Sequence, residues 1–195
     1  MSNGEYSSSM DVGTVVLAAG EGKRFGRNKL LMTVGGKTII EWAISALPRP
    51  RVVVVGRYAI ELFPVLKSEV VIYNPNWANG MSTSLKLGVR FFQDMDGILV
   101  ALGDMPLVSE GVVKRMLEAY SSSCLAVVPT YEGKLGNPVI LSKKLFPEIW
   151  KLEGDTGARK IIRNVKEICL VQGDEGVLID VDTEADLAEV SRRLS

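Results

Sequence analysis

Thr14-Val15-Val16-Leu17-Ala18-Ala19-Gly20-Glu21-Gly22-Lys23-Arg24-Phe25-Gly26-Arg27-Asn28-Lys29 is the stretch on which the fold turns. Its first half is a β-branched run that reads as a buried strand. Small residues end that strand and start a glycine-rich loop. Gly20, Gly22 and Gly26 let backbone amides approach a ligand. Lys23, Arg24, Arg27 and Lys29 set four cations against Glu21. Amide donors together with cations suit a triphosphate, whose charge builds on the departing pyrophosphate. The plain alternative is a turn with solvated charges. No Gly-Lys-Ser/Thr follows, so this is not a P-loop. The glycines space as GxGxxxG rather than the dinucleotide fingerprint, and the next strand ends at Gly56 without an acid.

Outward from this loop, short apolar runs alternate with helical patterns. Strands are expected at Arg51–Gly56, Val70–Tyr73, Gly97–Leu102, Cys124–Pro129, Pro138–Leu141, Ile168–Val171 and Val177–Val181. Helices are expected from a cap at Thr38, near Tyr58–Lys67, over Ser82–Phe92, from a cap at Ser109, and near Ser142–Trp150 and Thr156–Val165. A last helix starts at Thr183, with Asp186 placed for a capping box. This alternation predicts an α/β fold, a single-domain doubly wound and mainly parallel sheet over residues 13–195. Residues 1–12, largely polar and Ser-rich, read as a disordered tail. In such a sheet ligands bind beyond the carboxyl ends of the strands.

Composition narrows the function. The 195 residues carry 23 Lys+Arg and 23 Asp+Glu, so charge supports neither a nucleic acid nor a membrane partner. No apolar run approaches the ~20 residues of a membrane helix, no signal-peptide pattern opens the chain, and the expected location is the cytoplasm. The two cysteines, Cys124 and Cys169, lack CxxC spacing and read as reduced core thiols. There is no histidine, which excludes His-based nucleophile pairs and His-ligated metals. The chemistry must use carboxylates, Lys, Arg, hydroxyls, backbone amides and bound cations. Trp42, Trp77 and Trp150 read as packing residues, Trp77 alone lying in a candidate ligand loop.

Four further segments follow strands or open helices. Asn74-Pro75-Asn76-Trp77-Ala78-Asn79-Gly80-Met81-Ser82-Thr83-Ser84-Leu85 enters a helix. Ser82 or Ser84 there offers N–H groups and hydroxyls to a ligand, or simply caps the helix. Leu102-Gly103-Asp104-Met105-Pro106 places Asp104 at the end of a buried strand, where it suits Mg²⁺ or a turn. Gly133-Lys134-Leu135-Gly136-Asn137-Pro138-Val139 and Glu153-Gly154-Asp155-Thr156-Gly157-Ala158-Arg159 are either structured loops or an anion site built on Gly157 and Arg159. Asp180 and Asp182 lie two apart on an expected strand and face one side, as for a cation. Asp182 also suits the entry to the last helix.

LAAGEGKRFGRNK resembles the LAAG-x-G-x-R-x-G-x-x-K signature of the sugar-nucleotide-pyrophosphorylase-like nucleotidyltransferases. Within them the chain, from Thr14 to Leu194, is similar to the molybdenum cofactor cytidylyltransferase and guanylyltransferase group. The resemblance implies a Rossmann-like nucleotidyltransferase fold and Mg²⁺-dependent transfer of a nucleoside monophosphate from an NTP to a small phosphorylated acceptor, molybdopterin being the family-level choice. It implies base contacts from Leu17, Ala18 and Ala19, with Gly20 and Gly22 in the nucleotide loop, and phosphates held by Arg24 and Lys29. Asn74 and Gly80, with Ser84, would close the base pocket. Asp104 would ligate the metal, with Asp182 preferred over Asp180 as its partner. Gly136, Asn137, Asp155, Gly157 and Arg159 match acceptor-side motifs, although Leu135 stands where an Arg is usual. Leu-Ala-Ala-Gly, rather than Leu-Ala-Gly-Gly, leans toward CTP over GTP. A cofactor-accepting enzyme is a candidate partner. Two other classes stay open, a nicotinamide-dependent oxidoreductase and a non-catalytic binder of nucleotide or cofactor.

Overall fold

The computed structural model describes residues 9–195. Residues 1–8, most of the expected tail, lie outside the described residues. Residues 10–12 correct that reading, because they belong to the fold. Met10 packs against the core and β1 (Val12–Ala18) begins at Val12. Asp11 N–H donates to Asp96 Oδ2 at 2.7 Å, and Asp96 N–H returns a bond to Asp11 O at 2.8 Å.

After β1 and a 3-10 turn at Lys29–Leu31 comes a small hairpin, β2 (Thr33–Val34) and β3 (Lys37–Thr38). The sequence reading missed it, although Gly35-Gly36 is a two-residue hairpin signal. Then follow α1 (Ile39–Ser45), β4 (Arg51–Val55), α2 (Ala59–Leu62), β5 (Val70–Tyr73), α3 (Met81–Phe91), β6 (Gly97–Leu102) and α4 (Glu110–Ala119). The second half holds β7 (Ala126–Tyr131), β8 (Lys134–Leu135), β9 (Val139–Ser142), α5 (Phe146–Trp150), α6 (Ala158–Ile162), β10 (Ile168–Gln172) and α7 (Glu184–Leu194). The caps fall as expected: Thr38 and Thr183 form capping boxes, and the Ser109 side chain accepts the Val112 N–H.

The strands lie in the order β10-β7-β9-β6-β1-β4-β5, with β8 paired to β7. β6, β1, β4 and β5 are mutually parallel, as are β7 and β10. β9 runs antiparallel between β6 and β7, so the sheet is mixed but mostly parallel. Alternation along β1 feeds two cores. Val16 and Ala18 join Ile40, Leu62, Met116 and Val190 under α1, α2, α4 and α7. Val15 and Leu17 join Leu85, Phe146, Ile149 and Ile162 under α3, α5 and α6. Burial on both faces explains the continuous apolar strands.

Two expectations are corrected. Val177–Val181 is not a strand; it is a 3-10 turn at Glu175–Val177 followed by an irregular segment. Val177 O accepts from Asn137 N–H at 2.9 Å, and Val181 N–H donates to Asp104 O at 2.8 Å. Loops at the end of the sheet thus satisfy this backbone, while Val177 and Val181 are fully buried and give the segment its strand-like apolar signal.

Cys124 and Cys169 are not free thiols but a disulfide, with Cα atoms 5.7 Å apart. β10 lies beside β7 with Ile168 opposite Ala126, which brings the two residues together at the sheet edge. Thiol titration of denatured, unreduced protein should find essentially no free thiol, and both cysteines only after reduction. Full reactivity before reduction would return them to the reduced state.

Candidate active site

A cleft of about 720 Å³ opens at the carboxyl ends of β1 and β6. This is where strand order reverses, since β4 lies on one side of β1 and β6 on the other. In an open α/β sheet that is the place for a ligand. Gly103 N–H donates to Leu17 O at 3.0 Å, extending the β1–β6 pairing to the floor of the cleft.

Charge gathers on the β6 side. Lys29 Nζ donates to Asp104 Oδ2 at 2.8 Å and to Asp182 Oδ1 at 3.0 Å. Burial alone would lower the Lys29 pKa; Asp104 and then Asp182 overcome it and hold it raised. The side chain is 13% exposed, so this ammonium is fixed rather than solvated. Asp182 is itself positioned by α7, since its N–H and that of Thr183 both donate to Asp186 Oδ2. Arg24 Nη1 reaches Asp182 Oδ2 at 3.2 Å from an exposed position. Arg27 pairs with Glu184 at 2.7 Å, and Lys23 lies 3.6 Å from Glu21.

Carboxylate oxygens of Asp104, Asp180 and Asp182 lie within 4.8 Å of one another. Asp180 is exposed to solvent at its surface, yet partial enclosure by the cleft, then the Asp104 and Asp182 charges, push its carboxyl above the usual carboxylate range. An all-oxygen, acidic donor set suits a hard divalent cation. The sequence preferred Asp182 to Asp180; the fold brings both to Asp104. Their convergence does not come from a strand, so the face-sharing argument was not the reason.

The other side of the cleft is mostly uncharged, with Asp155 at the Met81 N–H its carboxylate. Leu17, Ala18, Ala19 and Gly20 line it, together with Tyr58, Trp77, Gly80 and Ser84. Tyr58 was not anticipated, although it closely follows the carboxyl end of β4. Trp77 is a wall of the cleft, beyond the packing role expected of it. A Cβ at Gly56 would fall 2.5 Å from Trp77 Cβ and 2.9 Å from Ala19 Cβ, so the lack of a side chain there lets these residues close into one corner. Asn28 also borders the cleft, with its amide nitrogen and oxygen enclosed and unpaired among the described residues.

Asn74 does not line the cleft. It is 1% exposed, donates through Nδ2 to Thr83 Oγ1 and Ser84 Oγ at 2.8 Å each, and accepts Asn76 N–H. Its role here is to tie the loop to α3. The start of α3 is not free either. Met81 N–H donates to Asp155 Oδ1 and Ser82 N–H to Gly154 O, while the Ser82 hydroxyl also donates to Gly154 O.

The two motifs expected on the acceptor side do meet. Arg159 Nη2 donates to Gly136 O at 3.2 Å, and burial, then Arg163, holds its pKa below the usual value. Asn137 is held by its N–H bond to Val177 O. Gly157 lies against Met81, where a Cβ would come 2.6 Å from Sδ. Of these residues Asp155 borders the cleft itself; Gly136, Asn137, Gly157 and Arg159 stand beyond its lining. No described helix is long and apolar enough to cross a membrane.

Comparison with known proteins adds the family. The MobA-like NTP transferase domain matches residues 14–168. The purine catabolism protein PucB of Bacillus subtilis is 28% identical, over 93% of this chain and 96% of its own. Nicotine blue oxidoreductase of Paenarthrobacter nicotinovorans is 31% identical over 87% and 91%. The molybdenum cofactor cytidylyltransferase of Escherichia coli is 22% identical over 92% and 95%. Among solved structures, Rv0371c of Mycobacterium tuberculosis superposes with a TM-score of 0.83 at 23% identity, over 95% of this chain and all of that one. That likeness is one of fold.

Proposed function

Because the chain belongs to the MobA-like NTP transferase domain family, we propose that it moves a nucleoside monophosphate from an NTP, CTP before GTP, onto a small phosphorylated acceptor, with molybdopterin the first candidate. The observation that carries this reading is the division of the cleft. Lys29, from the loop after β1, meets Asp104 after β6 and Asp182 at the entry to α7, with Asp180 beside them, while Tyr58, Trp77 and Gly80 stand after β4 and β5. The strand order β6-β1-β4-β5 sets these groups on opposite sides of β1, roughly 10 Å or more apart at ~4.8 Å per strand. A nucleotide has the same polarity, a polyphosphate at one end and a flat heterocycle at the other.

In this reading an acceptor phosphate oxygen attacks the α-phosphorus in line and pyrophosphate leaves. A phosphate is already nucleophilic, so no general base is needed, in keeping with a chain without histidine. Asp104 and Asp182, with Asp180 beside them, are the residues that would hold Mg²⁺, which neutralises charge on phosphate oxygens when bound. Lys29 and Arg24 stabilise charge on the departing pyrophosphate. Backbone from Leu17 to Gly22 faces the nucleotide. Gly136, Asn137, Gly157 and Arg159 form the acceptor side, and a cofactor-dependent enzyme would receive the product. Support for molybdopterin comes from the Escherichia coli relative, and support for CTP from the motif around Ala19.

The test is a pyrophosphate-release screen that crosses four NTPs with phosphorylated acceptors, molybdopterin included. CTP with molybdopterin is expected to give the highest kcat/KM. Absence of pyrophosphate from every pair would remove the proposal and favour a non-catalytic binder. A second reading, a nicotinamide-dependent oxidoreductase, has the Paenarthrobacter relative in its favour. Against it, β4 runs into Gly56-Arg57-Tyr58, with no acid there for a ribose hydroxyl. Titration with nicotinamide cofactors separates the two.

Base choice is a further expected result. Ala19 is 7% exposed and belongs to the tight corner with Gly56 and Trp77. Its methyl narrows the side of the cleft away from Lys29, which favours a pyrimidine by no more than ~1–3 kcal/mol. Ala19→Gly should narrow the CTP/GTP ratio of kcat/KM. Wild-type preference for GTP, or an unchanged ratio in the variant, would remove the assignment of this corner to base selection.

A further inference from the structure

The loop at 153–157 reads as acceptor-side from sequence, yet its contacts go to the nucleotide side. Asp155 Oδ1 accepts the Met81 N–H at 3.1 Å. Gly154 O accepts the Ser82 N–H at 3.2 Å and the Ser82 hydroxyl at 2.7 Å. The two backbones are pressed together. Gly80 has φ 105°, and a Cβ there would fall 2.3 Å from Gly154 C and 2.5 Å from Asp155 N. Gly157 closes the same junction from the other end, against the Met81 thioether.

The first N–H groups of any helix lack intrahelical partners. The N-cap of α3, Gly80, has no side chain to supply one. Here the loop at 153–157 supplies the first two, for Met81 and Ser82, from more than 70 residues away in sequence. The segment it holds is the one whose Trp77, Gly80 and Ser84 border the cleft on the side away from Lys29. The other end of α3 is already fixed, because Gly88 packs so tightly on β1 that a Cβ would meet Val15 Cγ1 at 2.4 Å.

We propose that Asp155 is a positioning residue for the nucleotide, acting through Met81 and the start of α3, so that the acceptor-side loop and the nucleotide pocket form one coupled unit. This rests on the reading that a nucleotide occupies the cleft. Coupling of this kind is reciprocal: whatever orders the loop at 153–157 tightens the nucleotide, and the nucleotide in turn orders that loop.

The test separates this role from a direct charge contact, since Asp155 also borders the cleft. Binding of each of the four NTPs with Mg²⁺ is measured by calorimetry without acceptor, on wild-type protein, Asp155→Ala and Asp155→Asn. Asp155→Ala should weaken the preferred nucleotide by about 2- to 30-fold, the span of a lost N-terminal cap. Asp155→Asn keeps an oxygen for the Met81 N–H and should stay close to wild type. In turnover the Ala variant should raise KM for the nucleotide more than it lowers kcat. An unchanged Kd in Asp155→Ala, or a change confined to the acceptor KM, would overturn the proposal and return Asp155 to the acceptor. Asn behaving as Ala does, or tighter binding in both variants, would also overturn it, because charge and not the cap would then be the cause. Wild-type protein that binds none of the four NTPs would bring down the nucleotide reading and this inference with it.

Discussion

Asp104→Asn is expected to leave the fold intact and to lower turnover by about 100-fold or more, the scale of losing a charge-stabilising group at the reacting phosphates. Asp104 follows the buried strand β6, and its carbonyl accepts the Val181 N–H. The backbone there is therefore fixed whatever the side chain carries. Asn is nearly isosteric and can still accept from Lys29, so packing should survive. What is lost is the negative charge that faces Lys29 at 2.8 Å and stands within 4.8 Å of the Asp180 and Asp182 oxygens. The effect should deepen as Mg²⁺ becomes limiting, because one of the acidic donors is gone. Steady-state rates over a Mg²⁺ series, with thermal unfolding as the control, make the check. Near-normal turnover at limiting Mg²⁺ would sink the metal assignment.

Lys29→Ala should weaken NTP binding and also slow the chemical step, with a loss in kcat/KM of roughly 100-fold or more. Lys29 is the innermost cation of the loop, 13% exposed, whereas Arg24 is 79% exposed. A charge shielded from water acts more strongly on a developing phosphate charge than one in solvent. The ammonium also sits between Asp104 and Asp182, so its loss takes the ion-pair partner from Asp104 and leaves Asp182 with only the exposed Arg24. Arg24→Ala, touching Asp182 from the surface, should have the smaller effect on kcat. Single-turnover rates at saturating NTP separate the binding loss from the chemical one. Were the Lys29→Ala defect to appear in the acceptor kinetics alone, the loop would have been assigned to the wrong substrate.

Most of the fold was legible because it rests on local signals. β-branched runs such as Arg51–Val55 and Val70–Tyr73 mark strands buried on both faces, and Thr38, Ser109 and Thr183 mark helix starts by chemistry that acts over three residues. The glycine-rich loop and Asp104 were legible as candidates for the same reason, as chemistry placed after strands, whereas Asp182 follows no strand and stands at the entry to α7. The family match over residues 14–168 agrees with the resemblance read from the glycine-rich loop.

Tertiary structure alone decided the rest. Whether β9 runs between β6 and β7, and whether Cys124 meets Cys169, depends on strand order, which no local pattern encodes. Val177–Val181 carries the apolar signal of a strand because it is buried, yet loops and not a ladder satisfy its backbone. Asn74 and Asp155 have side chains suited to a ligand or to a cap, and only their neighbours choose: Asn74 is enclosed by Thr83 and Ser84, and Asp155 accepts from Met81. Lys29 sits far along the chain from Asp104 and Asp182, and their meeting is set by the ends of β6 and α7. The sequence by itself determined which residues are candidates for the chemistry, since composition and local pattern select charge, shape and backbone freedom. The tertiary structure determined which of them share a site, because non-local contacts depend on where the sheet brings the ends of its strands.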